Sequence, residues 1–271
     1  MKRLTLDEVK RIKLHILVEV ADFCNRHHIK YWLDWGTLLG AIRHKGFIPW
    51  DDDIDISMLR EDYDRFIAEF ASSTGYYKLC CPENDDDAYT AFAKVADLRT
   101  VNQITTISTQ RRHLNIDVFC YDTCPEIGYE ELFERRDYYQ NIFKFNNLTP
   151  RSKYYSNKRI LLNYIRYFPS VIHSNHWLLM QIVKNAKSCA SETSGLVAHF
   201  LGVGRKLYEK RSFDKTIQVD FEGLKFAAPE DYDRHLTITY GDYMTPPPPE
   251  QRGSTHLFEA FWDDEHFELT I

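Results

Sequence analysis

Long apolar runs are missing from this sequence. None approaches the length needed to cross a bilayer, so no transmembrane helix is expected. Excess positive charge is missing too. Lys and Arg number 34 against 40 Asp and Glu, a formal net charge of −6. The electrostatic footprint of a nucleic-acid binder is therefore absent. Met1-Lys2-Arg3 leads into an amphipathic pattern and not into the apolar core of a secretory signal. The six cysteines (Cys24, Cys80, Cys81, Cys120, Cys124 and Cys189) form no disulfide-dense pattern. Reduced thiols and a cytoplasmic location follow as expectations. Cys120-x-x-x-Cys124 together with Cys80 and Cys81 offers four thiols to zinc. No spacing matches a common zinc module, so small buried hydrophobes are expected. Internal repeats and long disordered linkers are also absent.

What is present is ordinary globular composition, 44% hydrophobic and 27% charged. Aromatics reach 14%, enough for a filled core and some aromatic binding surface. The 271 residues suffice for one large domain, or a domain with a sizeable helical annex.

Thr5-Leu6-Asp7-Glu8 reads as a capping box. Behind it Val9, Ile12, Ile16, Val20 and Phe23 recur at helical spacing, and the helix should end near Asn25 to His28. Ile29 to Trp35 reads as a buried strand broken by Gly36-Thr37, with a helix from Leu38 to His44 closed by Gly46. Asp53 to Met58 alternates as a strand does, and Glu61 to Phe70 is helical. Tyr76 to Cys81, Phe92 to Asp97 and Leu114 to Phe119 are further strands. From Tyr129 to Leu201 the pattern is mainly helical. A hairpin turns at Phe221-Glu222-Gly223, Pro229 opens a short helix, and Pro246 to Pro249 make a rigid extended segment. Three regions result: a core over 1–125, a mainly helical region over 126–210, and a C-terminal hairpin and helix over 211–271 packing back on the core.

The chemistry concentrates in Trp50-Asp51-Asp52-Asp53-Ile54-Asp55-Ile56. Side chains at i and i+2 leave the same face of a strand, so Asp53 and Asp55 converge, with roots about 7 Å apart. Two such anions repel, and each raises the other's pKa. A divalent cation removes that penalty, and magnesium prefers carboxylate and phosphate oxygens. Asp51 and Asp52 precede the alternation and receive no firm role. Gly36-Thr37 opens a helix where glycine admits a phosphate closely. Thr37 can cap that helix and donate its hydroxyl, and the helix start adds N–H groups and a positive dipole end. Asp117, alone among apolar neighbours in Ile116-Asp117-Val118, is costly in a buried strand unless paired or ligated.

Gly36-Thr37, Asp53-x-Asp55 and Asp117 together resemble the nucleotidyltransferase-like (polymerase-beta-like) superfamily. The run from Gly36 through Arg43-His44-Lys45-Gly46-Phe47-Ile48-Pro49-Trp50 to Ile56 resembles the signature of the LicD family. So do Arg60-Glu61-Asp62-Tyr63, Ile116-Asp117-Val118-Phe119 and Tyr240-Gly241-Asp242-Tyr243-Met244. These motifs frame residues 29–122 and 217–249. The sequence departs from the family pattern at Cys120-Tyr121-Asp122 and at Ala227-Ala228-Pro229.

The resemblance implies an α+β fold: a nucleotidyltransferase-like (polymerase-beta-like) mixed sheet with flanking helices and a helical insertion or annex. It implies transfer of phosphocholine, or a related alcohol phosphate, from CDP-choline or another CDP-alcohol. The acceptor would be a teichoic acid, capsule or lipopolysaccharide precursor. Asp53, Asp55 and Asp117 would hold Mg2+ or Mn2+ over the pyrophosphate, and Asp117 would accept the proton of the attacking hydroxyl. Arg43, His44, Lys45 and Lys94 are candidate phosphate contacts. Trp35, Trp50 and Tyr63 are candidates to box a trimethylammonium. Two other enzyme readings share the acids: a true nucleotidyltransferase releasing pyrophosphate, and a nucleotide-sugar glycosyltransferase. Lipid-linked acceptors place the work at the inner membrane face, with Arg151 to Tyr167 as the expected contact.

Overall fold

Helix α1 (Leu6–His27) begins as its capping box dictates. The Thr5 hydroxyl accepts from the Glu8 N–H, and a Glu8 carboxylate oxygen accepts from the Thr5 N–H at 2.8 Å. His28, at φ 54°, closes it in the left-handed conformation. The buried stripe of α1 is Val9, Ile12, Ile16, Val20 and Phe23, with one charged exception, Lys13. This stripe packs across the central sheet. The computed structural model describes residues 1–104, 112–147, 173–189, 194–202, 204–252 and 258–263.

The strands are β1 (Lys2–Arg3), β2 (Trp32–Leu33), β3 (Asp55–Leu59), β4 (Tyr77–Cys80), β5 (Ala93–Ile104) and β6 (Arg112–Cys124). They are followed by β7 (Leu196–Ala198), β8 (Leu207–Glu209), β9 (Thr216–Phe221), β10 (Leu224–Pro229) and β11 (Phe258–Trp262). The main sheet runs β1-β11-β5-β6-β3-β2, with β4 on β5 and β7-β8 continuing from the end of β6. All its described pairings are antiparallel except one: β3 and β6 run parallel. A parallel pair needs a long crossover, and α3 (Arg60–Glu69), β4 and β5 supply it. β6 alternates cleanly, burying Leu114, Ile116 and Val118 and leaving Asn115, Asp117 and Phe119 on the opposite face.

Helix α2 (Trp35–His44) starts three residues earlier than its apolar spacing predicts, because Asp34 caps it and accepts from the Trp35 N–H at 2.7 Å. Helices α4 (Tyr129–Asn146) and α5 (Asn175–Lys187) pack on each other. The 126–210 stretch, expected to be mainly helical, also contributes β7 and β8. The β9–β10 hairpin turns at Glu222 (φ 52°) and Gly223 (φ 76°) as its sequence requires. Its tip docks on the loop after α2, where a Glu222 carboxylate oxygen accepts from the Phe47 N–H at 2.9 Å. Pro229 ends β10 and does not open a helix. It lies on an outer strand, where a missing N–H costs little, and α6 begins later, at Tyr232–Tyr240. Both the hairpin and α6 pack on the core, against α2 and β2.

Candidate active site

Strand pairing sets Asp55, Asp117 and Lys94 in one lateral row. Asp55 of β3 is the register partner of Asp117 of β6, which is the partner of Lys94 of β5. Neighbouring strands lie about 4.8 Å apart, so the two carboxylates are side by side on one face of the sheet. Asp53 stands two residues before Asp55, just ahead of β3. The Thr37 hydroxyl fixes this approach: it accepts from the Asp55 N–H at 2.8 Å and donates to the Asp53 carbonyl. Thr37 therefore stitches α2 to β3, while the helix cap is Asp34. This corrects the expectation of a capping, phosphate-facing Thr37.

These acids floor a cleft of about 560 Å³. Its lining combines Gly36, Asp51, Asp53, Asp55 and Asp117 with Trp35, Phe92, Phe119, His199, Gly202 and Tyr240. A Cβ on Gly36 would sit 2.9 Å from an Asp51 carboxylate oxygen, so glycine makes room for that acid at the start of α2. Trp35 carries a φ of 45°, rare for a bulky side chain, and this strain sits at the cleft wall.

Electrostatics divide the acids. Burial, then the charges of Asp117 and Asp53, push the Asp55 carboxyl well above the usual carboxylate range. Asp55 has no ion pair among the described residues. Asp117 is also raised: burial outweighs the opposing pull of Lys94, with which it forms an ion pair. Asp53 pairs with Lys13 at 2.8 Å, and the buried Asp52 shares that ammonium at 3.4 Å. Burial disfavours both lysine ammonium groups, but their carboxylate partners outweigh it and hold them charged.

No three His, Cys, Asp or Glu side chains among the described residues converge as a preformed metal cage. Magnesium rarely needs one, since it keeps several waters and binds through one or two carboxylates plus substrate phosphates. An uncompensated carboxylate at Asp55, beside two more acids on one face, fits such an ion.

Several expected contacts lie elsewhere. Arg43, His44 and Lys45 are at the far end of α2, roughly 10 Å along its axis from Gly36. Arg43 donates to the Tyr243 carbonyl at 2.7 Å and to a His44 ring nitrogen at 3.0 Å, so it anchors the Tyr240–Tyr243 segment and does not line the cleft. Lys45 closes the helix at φ 62°. Trp50 packs against His44 and under Arg252. Tyr63 is fully buried, its hydroxyl accepting from the Ala93 N–H at 2.8 Å. Of the boxed trio only Trp35 reaches the cleft. Lys94 does lie at the acids, but as an ion-pair partner. The cysteines are free thiols and, apart from Cys80, buried. Arg151 to Tyr167 lies outside the described residues.

Other residues in or beside the cleft were not picked out from the sequence. Lys13 had a readable signal: it falls on the apolar stripe, four residues after Val9 and three before Ile16, where a charge demands a buried partner. His199 had none. It is 2% exposed, burial lowers its pKa to about 4, and neither ring nitrogen has a hydrogen-bond partner among the described residues. Its segment is held by α4, where the buried Arg136 donates to the His199 carbonyl at 3.0 Å. Partial burial of its ring and the nearby Asp55, Asp34 and Asp51 push the Tyr240 hydroxyl above its usual range.

The family described as LicD/FKTN/FKRP, nucleotidyltransferase domain, matches residues 28–159. The Lipopolysaccharide cholinephosphotransferase LicD of Haemophilus influenzae is 36% identical over 267 residues, covering 96% of this chain and 99% of that protein. An uncharacterized protein of Rickettsia typhi is 44% identical over 63 residues, 23% of this chain and 20% of its own. Human Ribitol 5-phosphate transferase FKRP is 53% identical over 34 residues, 12% of this chain and 7% of its own. With these acids in this arrangement and a relative matched along nearly its whole length, the chain belongs to the LicD family.

Proposed function

We propose that the chain transfers phosphocholine, or a related alcohol phosphate, from a CDP-activated donor to a hydroxyl of a cell-surface glycan precursor, releasing CMP. The observation that carries this reading is the row of Asp55 and Asp117 with Asp53 beside it, at the start of α2 in one cleft. The name of the Haemophilus influenzae relative supports the alcohol and the class of acceptor.

The acceptor oxygen attacks the phosphorus that bears the alcohol, the bond from that phosphorus to CMP breaks, and the hydroxyl proton leaves to a carboxylate. Asp117, on β6 beside Asp55 and raised above the usual carboxylate range by burial, is the proton acceptor in this reading. Asp53, Asp55 and Asp117 would hold Mg2+ or Mn2+, which would supply charge neutralisation at the phosphates. The first turn of α2 offers its positive dipole end to the same phosphates. Trp35, Phe92 and Phe119 take the part first expected of Trp35, Trp50 and Tyr63. A quaternary ammonium is drawn to aromatic faces, and the Lys94 ammonium already lies 5.1 Å from the Phe92 ring centroid.

The test is incubation with magnesium and a panel of CDP-choline, CDP-ethanolamine, CDP-glycerol and CDP-ribitol, following CMP. CMP release from one donor, coupled to modification of a glycan acceptor, is the expected result. Release of pyrophosphate from CTP in its place overturns the reading in favour of nucleotidyl transfer. Because the acceptor is lipid-linked in this reading, the work falls at the cytoplasmic membrane face. Among the described residues no helix is long and apolar enough to cross a membrane. Failure to co-sediment with vesicles carrying the acceptor lipid removes that last element.

A further inference from the structure

Two lysines reach the acids from two different elements. Lys13 comes from α1, upstream of the segment that the family match covers. Its stem lies along the buried stripe of that helix and only 4% of the residue is exposed, so the ammonium is delivered to the site from beneath. It stands 2.8 Å from an Asp53 oxygen and 3.4 Å from an Asp52 oxygen. Lys94 comes from β5. It pairs with Asp117, donates to Asn115 Oδ1 at 3.2 Å, and lies over the rings of Phe92 and Tyr89. Each lysine also feels the other's acid, Lys13 that of Asp117 and Lys94 that of Asp53. These lysines and acids form one charge cluster with Asp55, which has no ion pair among the described residues.

We propose that Lys13 and Lys94 are resident counterions of this site, displaced when a metal arrives together with the donor diphosphate, and that they then contact the donor's phosphate oxygens. The inference rests on the metal-and-nucleotide reading above. Its physical basis is competition. A dication within coordination distance of Asp53 or Asp117 stands only a few ångström from an ammonium, and like charges that close repel strongly in a partly buried site. A bare dication is therefore held off. A dication carrying a diphosphate is not, because the phosphate oxygens give the displaced ammonium groups new anionic partners. Metal and nucleotide binding are thus positively coupled, and reciprocally so.

The coupling is measured with the full chain, titrating Mn2+ by its free-ion electron paramagnetic resonance signal, with and without CDP as probe. The wild-type protein should bind Mn2+ weakly alone and more tightly with CDP. Lys13→Met and Lys94→Met should each tighten Mn2+ binding to the nucleotide-free protein by about tenfold, as expected when a neighbouring like charge is removed. Both should shrink the gain that CDP brings. Lys94→Arg, which keeps the charge, should behave as wild type. Lys94 is on a separate strand, so a folding defect at the more deeply buried Lys13, visible in a thermal melt, does not silence the test. Unchanged or weaker Mn2+ binding in nucleotide-free Lys94→Met, while the wild type binds Mn2+ with CDP, overturns this inference and leaves the metal reading standing. No Mn2+ binding to the wild type even with CDP overturns the metal reading, and this inference with it.

Discussion

Two buried polar clusters meet at the start of α2, and they are built to opposite plans. Asp34, 1% exposed, accepts from the Trp35 N–H at 2.7 Å, from His235 Nε2 at 2.7 Å and from the Tyr121 hydroxyl at 2.8 Å. Burial opposes its ionisation, yet these donors outweigh burial and hold the carboxyl below the usual range. The backbone ties the two together: the Asp34 N–H donates to the Asp55 carbonyl at 3.0 Å. Asp55 has the reverse surroundings: burial and like charges, and a carboxyl held well above the usual range. A buried carboxylate with three donors is a structural peg. A partly buried carboxylate among acids at a cleft costs stability and is the mark of a functional site.

The sharpest way to break that contrast is Asp55→Asn. Turnover should fall about a thousandfold or more, the scale of losing a principal electrostatic group in a transfer reaction. The metal-free protein should at the same time become more stable, with a thermal midpoint up by about 3 °C for each kcal/mol relieved. The sign follows from linkage. The folded pKa is raised, so the folded state holds the proton longer, and the penalty from Asp55 grows as pH rises above its ordinary value. The gain from Asn is therefore larger at pH 8 than at pH 5. A variant less stable than wild type at pH 8 would put Asp55 with the pegs.

His235→Ala probes the other cluster and should move stability the opposite way. It leaves the buried Asp34 carboxylate with one donor fewer, and removing one partner of a buried hydrogen-bonded group costs about 1–3 kcal/mol. Urea unfolding at neutral pH measures it. A loss below about 1 kcal/mol would mean that Asp34 is held by Tyr121 and the Trp35 N–H alone.

How far each cluster shows in the sequence follows from the same difference. Asp51, Asp53 and Asp55 lie close together in the chain, and their two-residue spacing alone pairs Asp53 with Asp55, although β3 begins only at Asp55. Asp117 stands out as one charge among apolar residues. Asp34, Tyr121 and His235 belong to three separated segments, and nothing in their spacing says that they meet. The helices and central strands were legible because their periodicity is local. β7, β8 and β11 were not, because strands of three to five residues carry too little pattern to register against a helical background. The basic triplet Arg43-His44-Lys45 misled for a further reason. Proximity in sequence to the acids is lost along a helix, which carries these residues away from the cleft that Gly36 lines.

His199 sits between the two plans, a neutral imidazole lining the cleft without partners among the described residues. Its pKa near 4, against an ordinary 6.5, means that the unfolded state takes up a proton first as pH falls. Stability from this group is complete above pH 6.5 and is lost as pH falls from there toward 4, by roughly 2 kcal/mol at pH 5. His199→Phe should remove this slope, seen by comparing urea unfolding at pH 7.5 and pH 5 in both proteins. Equal slopes would mean that the imidazole is charged in the fold.

The smallest expected effect separates core from cleft among the aromatics. Tyr63→Phe deletes the hydroxyl that accepts from the Ala93 N–H, so one buried backbone donor at the start of β5 loses its partner. That costs about 1–2 kcal/mol of stability. Tyr63 does not line the cleft, so the KM for the preferred CDP-alcohol and the preference among donors should not change. Trp35→Ala, at the cleft wall, should narrow the preference for a cationic alcohol over a neutral one, since each aromatic face lost removes about 1 kcal/mol of attraction for a desolvated cation. The ratio of kcat/KM for CDP-choline to that for CDP-glycerol is the measurement. If that ratio shifts more in Tyr63→Phe than in Trp35→Ala, the aromatic wall has been assigned to the wrong side of β5. The alcohol would then have to enter between α3 and the sheet, where the described structure is filled by Tyr63 and Phe66, both fully buried.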